Sequence, residues 1–175
     1  MDWRETLLIK FMQITKMIRI GKFFPFKTVP YPFTDYFGGF ERVKVVRRLF
    51  GERTEEVLSN LKVEFTWIGG YMWVNNNGHL VVNLRYLKNG DRIDIYLDII
   101  HELVHIKQFR EGKKLFDGKY SYTERPTEIE AYRYVVEEAR RVGLSEKRIC
   151  EHLKTEWISD NDFEQLTKTL KINCK

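Results

Sequence analysis

Cysteine is scarce in this sequence, because only two of its 175 residues, Cys150 and Cys174, are cysteines. No Cys-x-x-Cys pair occurs, which excludes a cysteine-rich zinc site and a disulfide framework. The two cysteines could form one bridge, but they lie close to the end of the sequence and we expect free thiols.

Long apolar runs and targeting signals are also missing. No stretch of eighteen apolar residues occurs, which excludes a membrane-spanning helix. The first residues alternate charged and apolar side chains, without the apolar centre and small-residue cleavage site of a secretory signal. We therefore expect a cytoplasmic protein.

The composition is that of an ordinary globular protein, with 43% hydrophobic and 31% charged residues. A chain of 175 residues suits one domain that can bury a core without disulfides. The net charge of +5 permits weak attraction to nucleic acid or anionic lipid. We interpret this charge as a solvated surface.

The first forty residues differ from the rest, so we predict an extension at residues 1–40 and a domain at residues 41–175. Asp2–Ile20 has apolar residues at three- and four-residue spacing, which predicts an amphipathic helix packed on the domain. A membrane-surface or partner-binding helix is the alternative. Lys22–Phe40 combines eight aromatic residues with three prolines, which predicts an extended segment that covers the core.

The remaining pattern predicts an α+β domain, in which a small antiparallel meander is followed by helices. The expected strands are Val63–Ile68, Tyr71–Val74 and Leu80–Tyr86, and Arg42–Phe50 is either a strand or a short helix. We expect helices at Thr54–Leu61, Asp94–Phe109, Pro126–Val142, Ser145–Trp157 and from Ser159 onward, with N-caps at Thr54, at Asp91 or Asp94, at Ser145 and at Ser159.

Within the helix predicted at Asp94–Phe109 lies the motif His101-Glu102-Leu103-Val104-His105. Residues four apart lie on one face of a helix, so the two histidines can share one metal ion. The glutamate between them can reach a water held by that ion. The motif therefore predicts a metal centre with Glu102 as general base.

A catalytic zinc site usually needs a third protein ligand. His79 and His152 are interpreted as ordinary surface histidines. The third ligand is therefore expected to be a carboxylate. In the helix that begins at Pro126, Glu130 falls on the solvent side, whereas Glu128 falls on the apolar side. A carboxylate on an inward face is costly unless it is paired or bound to a metal, so we predict Glu128 as the third ligand.

The motif, followed after twenty-two residues by Glu128-Ile129-Glu130-Ala131, resembles the gluzincin metallopeptidases, and in particular small members such as the minigluzincins. The resemblance covers roughly Val63 to Val142. It implies a zincin-like fold, with a small sheet packed on the motif helix and a C-terminal helical region. It also implies that the substrate cleft is bordered by an edge strand, which consists of Tyr71, Met72, Trp73, Val74 and Asn75.

One position departs from the gluzincin pattern. Gluzincins often carry an acidic residue four positions after the glutamate ligand, where it orients a zinc histidine, and here that position is Tyr132. We expect either its phenol oxygen or the carboxylate of Asp98, one turn before His101, to accept the histidine N–H.

The predicted function is zinc-dependent hydrolysis of peptide bonds in a polypeptide substrate. One Zn²⁺ per chain would be held by His101, His105 and Glu128, and Glu102 would take a proton from the attacking water and deliver it to the leaving amine. The oxyanion needs a donor, and the candidates are Tyr120, Tyr122 and Arg125.

Two alternatives remain open from the sequence. The first is a latent or inactive zinc-binding module that acts by binding protein. The second is association with nucleic acid or a membrane surface through the basic segment Arg42–Arg48 and the N-terminal helix. These two segments lack the interleaved basic and stacking residues of a known nucleic-acid-binding module. The sequence does not predict an oligomeric state.

Overall fold

The predicted α+β class is confirmed in the computed structural model, which describes residues 18–21 and 29–174. Short 3₁₀ turns at Phe40–Arg42, Gly51–Arg53 and Tyr122–Glu124 join some of the elements. The α-helices are α1 (Phe33–Tyr36), α2 (Lys44–Phe50), α3 (Thr54–Asn60), α4 (Leu84–Asn89), α5 (Arg92–Arg110), α6 (Pro126–Arg141), α7 (Glu146–Leu153) and α8 (Asp160–Leu170). The strands are β1 (Arg19–Ile20), β2 (Tyr31–Pro32), β3 (Phe37–Gly38), β4 (Lys62–Thr66), β5 (Met72–Val74) and β6 (Leu80–Asn83).

The larger sheet has the strand order β2-β4-β6-β5, and β1 pairs separately with β3. Antiparallel pairs predominate, but β4 and β6 are parallel, which the predicted meander did not include. After β4 the chain crosses to the edge of the sheet and forms β5. The hairpin turn at Asn75–Gly78 then returns it as β6 to the place beside β4. The sheet is therefore mixed, with β5 at one edge.

Helix α5 occupies the centre of the fold. Its residues Ile95–Leu97 and Ile99–Ile106 are all buried, so the helix is covered around its whole circumference. The predicted cap at Asp91 is confirmed, because its carboxylate accepts hydrogen bonds from the N–H groups of Ile93 and Asp94 at 2.9 and 3.2 Å. The motif His101–His105 therefore lies on a long, buried helix.

Other predicted helix starts are confirmed, with one exception. Helix α6 begins at Pro126, and Ser145 and Ser159 cap α7 and α8 through their hydroxyl oxygens. Thr54 is not an N-cap: Arg53 holds that position, and the Thr54 hydroxyl donates to the carbonyl oxygen of Gly51 at 2.6 Å. Arg42–Phe50, left open between strand and helix, contains α2.

The third predicted strand, Leu80–Tyr86, is wrong beyond Asn83. The Asn83 side-chain oxygen accepts hydrogen bonds from the N–H groups of Arg85 and Tyr86, which is the geometry of a helix N-cap. The chain therefore turns into α4 at the point where the alternating pattern predicted more strand.

The predicted N-terminal helix Asp2–Ile20 lies outside the described residues as far as residue 17, and at its end the prediction is wrong, because Arg19–Ile20 forms strand β1. Part of the aromatic segment, residues 22–28, is likewise outside them. Phe33, Phe37 and Phe40 are fully buried in the hydrophobic core. The described part of this segment therefore packs into the domain core.

The expectation of free thiols is wrong, because Cys150 on α7 is bridged to Cys174, with 5.6 Å between their Cα atoms. The residues after α8 fold back across α7, and Ile172 is buried in the core. Among the described helices, none has the length and apolar character needed to cross a membrane.

Candidate metal centre

Two helices bring the three predicted ligands together. His101 and His105 lie one turn apart on α5, and Glu128 lies in the first turn of α6. The Nε2 atoms of the histidines are 2.9 Å apart, and the Oε2 atom of Glu128 lies 3.2 Å from His101 Nε2 and 3.4 Å from His105 Nε2. The three residues form a group that could hold a metal ion.

The spacing of these atoms can be compared with the geometry of a real site. Ligands that bind zinc tetrahedrally at about 2.0–2.1 Å are about 3.3 Å from one another. The three distances of 2.9, 3.2 and 3.4 Å are close to that value. All three side chains are buried. The residues present therefore fit a small divalent cation with nitrogen and oxygen ligands.

The electrostatics of the metal-free site also favour a cation. Burial alone would raise the pKa of Glu128, but hydrogen bonds and charge from His101 and His105 outweigh it and hold that pKa well below its usual range. Burial would lower the pKa of His105, yet Glu128 and Glu102 raise it to about 9. Burial lowers the pKa of His101. Glu128 is thus an anion that requires a positive charge beside it, which a proton on His105 supplies when no metal is bound.

Glu102 lies beside the three ligands, and one of its carboxylate oxygens accepts no hydrogen bond from the described residues. Its Oε2 atom is buried and has no hydrogen-bond partner among the described residues. The backbone N–H of Val74, on the edge strand β5, donates to the carboxylate. Burial raises the pKa of Glu102 to about 8, against an opposing effect of His105. In the metal-free site, the Glu102 carboxyl group can therefore exchange a proton near neutral pH.

Gln108 orients one of the histidines, a role that was not predicted from the sequence. Its side-chain oxygen accepts a hydrogen bond from Nδ1 of His105 at 2.7 Å, which directs Nε2 towards the other ligands. Its amide donates to the carbonyl oxygen of Thr127 at 2.9 Å and to Glu130 at 3.0 Å. Lys113 in turn donates to Glu130 at 2.8 Å, so the side chain predicted on the solvent side supports the metal site indirectly.

The two predicted orienting residues have other partners. The Tyr132 hydroxyl pairs with the hydroxyl of Tyr122 at 2.9 Å, and its ring packs against the His101 ring with 4.7 Å between centroids. Asp98 is partly buried and accepts a hydrogen bond from the Tyr86 hydroxyl. Both residues therefore shape the wall of the site, and neither is hydrogen-bonded to a ligand histidine in the described contacts.

The interpretation of His152 as a surface histidine is wrong. Only 7% of its side chain is exposed, and its Nδ1 atom lies 2.8 Å from Asp94, while Nε2 lies 3.5 Å from Asp98. It is buried because α7 packs against the first half of α5. His79 is partly buried, 2.6 Å from Glu64. Neither histidine joins the group of three metal ligands.

A cleft opens above the three ligands and contains most of the remaining predicted site residues. Of the predicted edge strand, Met72, Trp73 and Val74 border the cleft, whereas the Tyr71 ring stacks on Tyr86 and the Asn75 amide donates to Glu64. Among the oxyanion candidates, Tyr122 and Arg125 border it, and Tyr120 does not. The lining consists of Met72, Trp73, Val74, His101, Glu102, His105, Leu115, Phe116, Tyr122, Arg125 and Glu128.

In comparisons with known proteins, no family, no curated protein and no solved structure matches the chain. The resemblance to gluzincins therefore depends on the sequence motif and its spacing alone.

Proposed function

We propose that the protein is a zinc-dependent peptidase. The observation that carries this proposal is the meeting of three buried ligand atoms at tetrahedral spacing, with the unpartnered oxygen of Glu102 beside them. Two histidines and one carboxylate are the ligand set of many zinc hydrolases. Zinc, when bound, supplies Lewis acidity, which acidifies a water and polarises a substrate carbonyl.

The residues of the chain would perform the proton transfers. Glu102 takes a proton at Oε2 from the attacking water and delivers it to the leaving nitrogen. Its other contact, with the N–H of Val74, holds the carboxylate at the side of the cleft. Tyr122, whose hydroxyl is already fixed by Tyr132, and Arg125 are the donors available for the oxyanion.

A polypeptide is the substrate that the cleft suits best. Strand β5 lies at the edge of its sheet and borders the cleft with its three residues. An extended peptide can add to such an edge through main-chain hydrogen bonds. This would place a peptide carbonyl above the metal ligands.

The test compares zinc content and peptide cleavage in three proteins. Glu102→Gln should bind zinc as the wild type does and should lose cleavage by about 10²–10⁴-fold, the contribution of a general base. Glu137→Gln, the same change on the exposed side of α6, is the control and should behave as the wild type. His101→Ala should lose zinc.

Two outcomes would refute the proposal. Cleavage that survives Glu102→Gln would remove its catalytic assignment, and wild-type protein without stoichiometric zinc would remove the metal centre. Zinc bound without any cleavage would support the alternative of an inactive zinc-binding module.

A further inference from the structure

Arg125 is the one charged side chain in the lining of the cleft that has no part in holding the metal or in the proposed base chemistry. The other charged groups there are the carboxylates of Glu102 and Glu128. If a divalent cation is bound, these two carboxylates balance its charge. The guanidinium of Arg125 then gives the cleft one net positive charge.

The guanidinium has no acidic partner within the described residues. Its Nε atom is buried without a hydrogen-bond partner, and its guanidinium carbon lies 5.9 Å from the centre of the Tyr122 ring. The neighbouring acid, Glu124, is occupied by Ser121 at 2.7 Å and Gln165 at 2.6 Å. Leaving the Nε–H group buried without an acceptor is costly, so this arginine is suited to a ligand that brings its own acceptor.

The backbone of Arg125 is fixed at the start of α6. Its N–H donates to the carbonyl oxygen of Tyr122 at 3.4 Å, and its carbonyl oxygen accepts from the N–H of Ile129 at 3.0 Å. The following residue is Pro126, which restricts the chain further. The side chain therefore leaves a defined point, three residues before the metal ligand Glu128.

We propose that Arg125 binds a carboxylate of the peptide in the cleft. A guanidinium pairs with a carboxylate through two parallel hydrogen bonds, which gives both affinity and orientation. The carboxylate is either the C-terminal group of the peptide or the side chain of an aspartate or glutamate. This inference rests on the proposed peptidase function and adds its substrate class, namely peptides with a carboxylate near the cleaved bond.

The test uses three peptides of otherwise equal sequence on the zinc-loaded protein. One ends in a free carboxylate, one ends in an amide, and one ends in an amide and carries a glutamate after the cleaved bond. We expect the wild type to prefer a carboxylate-bearing peptide over the plain amide by about ten- to a hundredfold in kcat/KM. The peptide that shows the preference identifies the source of the carboxylate.

Substitutions then assign the preference to Arg125. Arg125→Gln should remove this preference, so that the three peptides are cleaved with similar kcat/KM. Arg125→Lys should keep part of the preference, because lysine retains the charge but not the paired donors. The control is Arg133→Gln, which removes the same charge from an exposed position on α6 that does not line the cleft. This control should keep the full preference.

Three outcomes would overturn the inference without touching the proposed function. These are equal cleavage of all peptides by the wild type, a preference that persists in Arg125→Gln, and an equal fall of kcat for every peptide in Arg125→Gln. The last result would make Arg125 a donor to the transition state instead.

A binding measurement separates this inference from failure of the proposed function. Fluorescently labelled forms of the three peptides are titrated with Glu102→Gln protein in the presence of zinc. A carboxylate-bearing peptide should bind at least about tenfold tighter than the plain amide, and Arg125→Gln in the same background should remove the difference. Equal binding, or no binding of any peptide, would overturn the inference even for a protein that cleaves nothing.

Discussion

Replacing Gln108 by leucine should weaken zinc binding without changing any metal ligand. Gln108 is fully buried and links His105 to the carbonyl oxygen of Thr127 and to Glu130. Leucine has a similar volume, so the substitution removes the hydrogen bonds and leaves little cavity. The His105 ring then loses the acceptor that fixes its orientation.

The magnitude follows from the contacts that are lost. Loss of an orienting partner of a metal-bound histidine costs about 10–100-fold in metal affinity, which is about 1.4–2.7 kcal/mol. In the metal-free protein, the buried Nδ1–H of His105 loses its acceptor, which should lower the free energy of unfolding by about 1–3 kcal/mol. The carbonyl oxygen of Thr127 is less affected, because it lies in the first turn of α6 and faces a helical N–H as well.

Zinc affinity is measured by competition with a chromophoric chelator, and the free energy of unfolding of the metal-free protein by urea titration. Gln165→Leu, the same substitution at an exposed position on α8, should change neither quantity appreciably. A folded Gln108→Leu protein whose zinc affinity stays within about twofold of the wild type would refute the role given to this hydrogen bond.

Two further predictions follow from the site and from the bridge. Because His105 in the metal-free protein has a pKa of about 9 and must lose its proton to bind a metal, zinc binding at pH 7 should release at least one proton, and zinc affinity should rise about tenfold per pH unit from pH 6 to 8. Calorimetry in buffers of different ionisation enthalpy measures this release, and a pH-independent affinity would contradict it. Changing both Cys150 and Cys174 to alanine should lower the free energy of unfolding by roughly 3 kcal/mol, as expected for a bridge that spans 24 residues. Urea titration tests this, and equal stability of both proteins would show that the bridge does not constrain the unfolded chain.

The parts of the fold that were predicted correctly depend on local signals. The caps at Asp91, Ser145 and Ser159 and the start at Pro126 each arise from hydrogen bonds or backbone limits within one helical turn. Helical periodicity likewise distinguished Glu128 from Glu130, because it indicates which side of a helix faces inward. Such features are encoded within a few residues and can be read without the rest of the chain.

The features that were missed depend on distant parts of the chain. The parallel pairing of β4 with β6 is decided by the path that places β5 at the edge, and nothing within either strand specifies it. His152 is buried because α7 packs on α5, and the bridge forms because the final residues return across α7. Periodicity and caps carry no information on these long-range contacts.

Two misses had a local signal that could have been used. Gln108 follows His105 by three residues and therefore shares its face of the helix, where a polar side chain is a candidate partner for the ring. Asn83 interrupts an apolar alternation with the residue type that most often caps a helix. In both cases one polar residue lies among apolar residues. Its side chain needs a hydrogen-bond partner, and that partner is only a few residues away in the sequence.

A metal ion bound at this site would have a second role, because it would limit how far the two helices that carry its ligands can separate. His105 and Glu128 are separated by a surface segment, residues 111–125, that carries Phe116, Tyr122 and Arg125 to the cleft. A cation held by both helices closes this segment into a ring and limits how far its ends can separate. We therefore expect metal loading to decide how often the whole segment opens, so that proteolysis and amide exchange across residues 111–125 would report the occupancy of a site that none of these residues ligates.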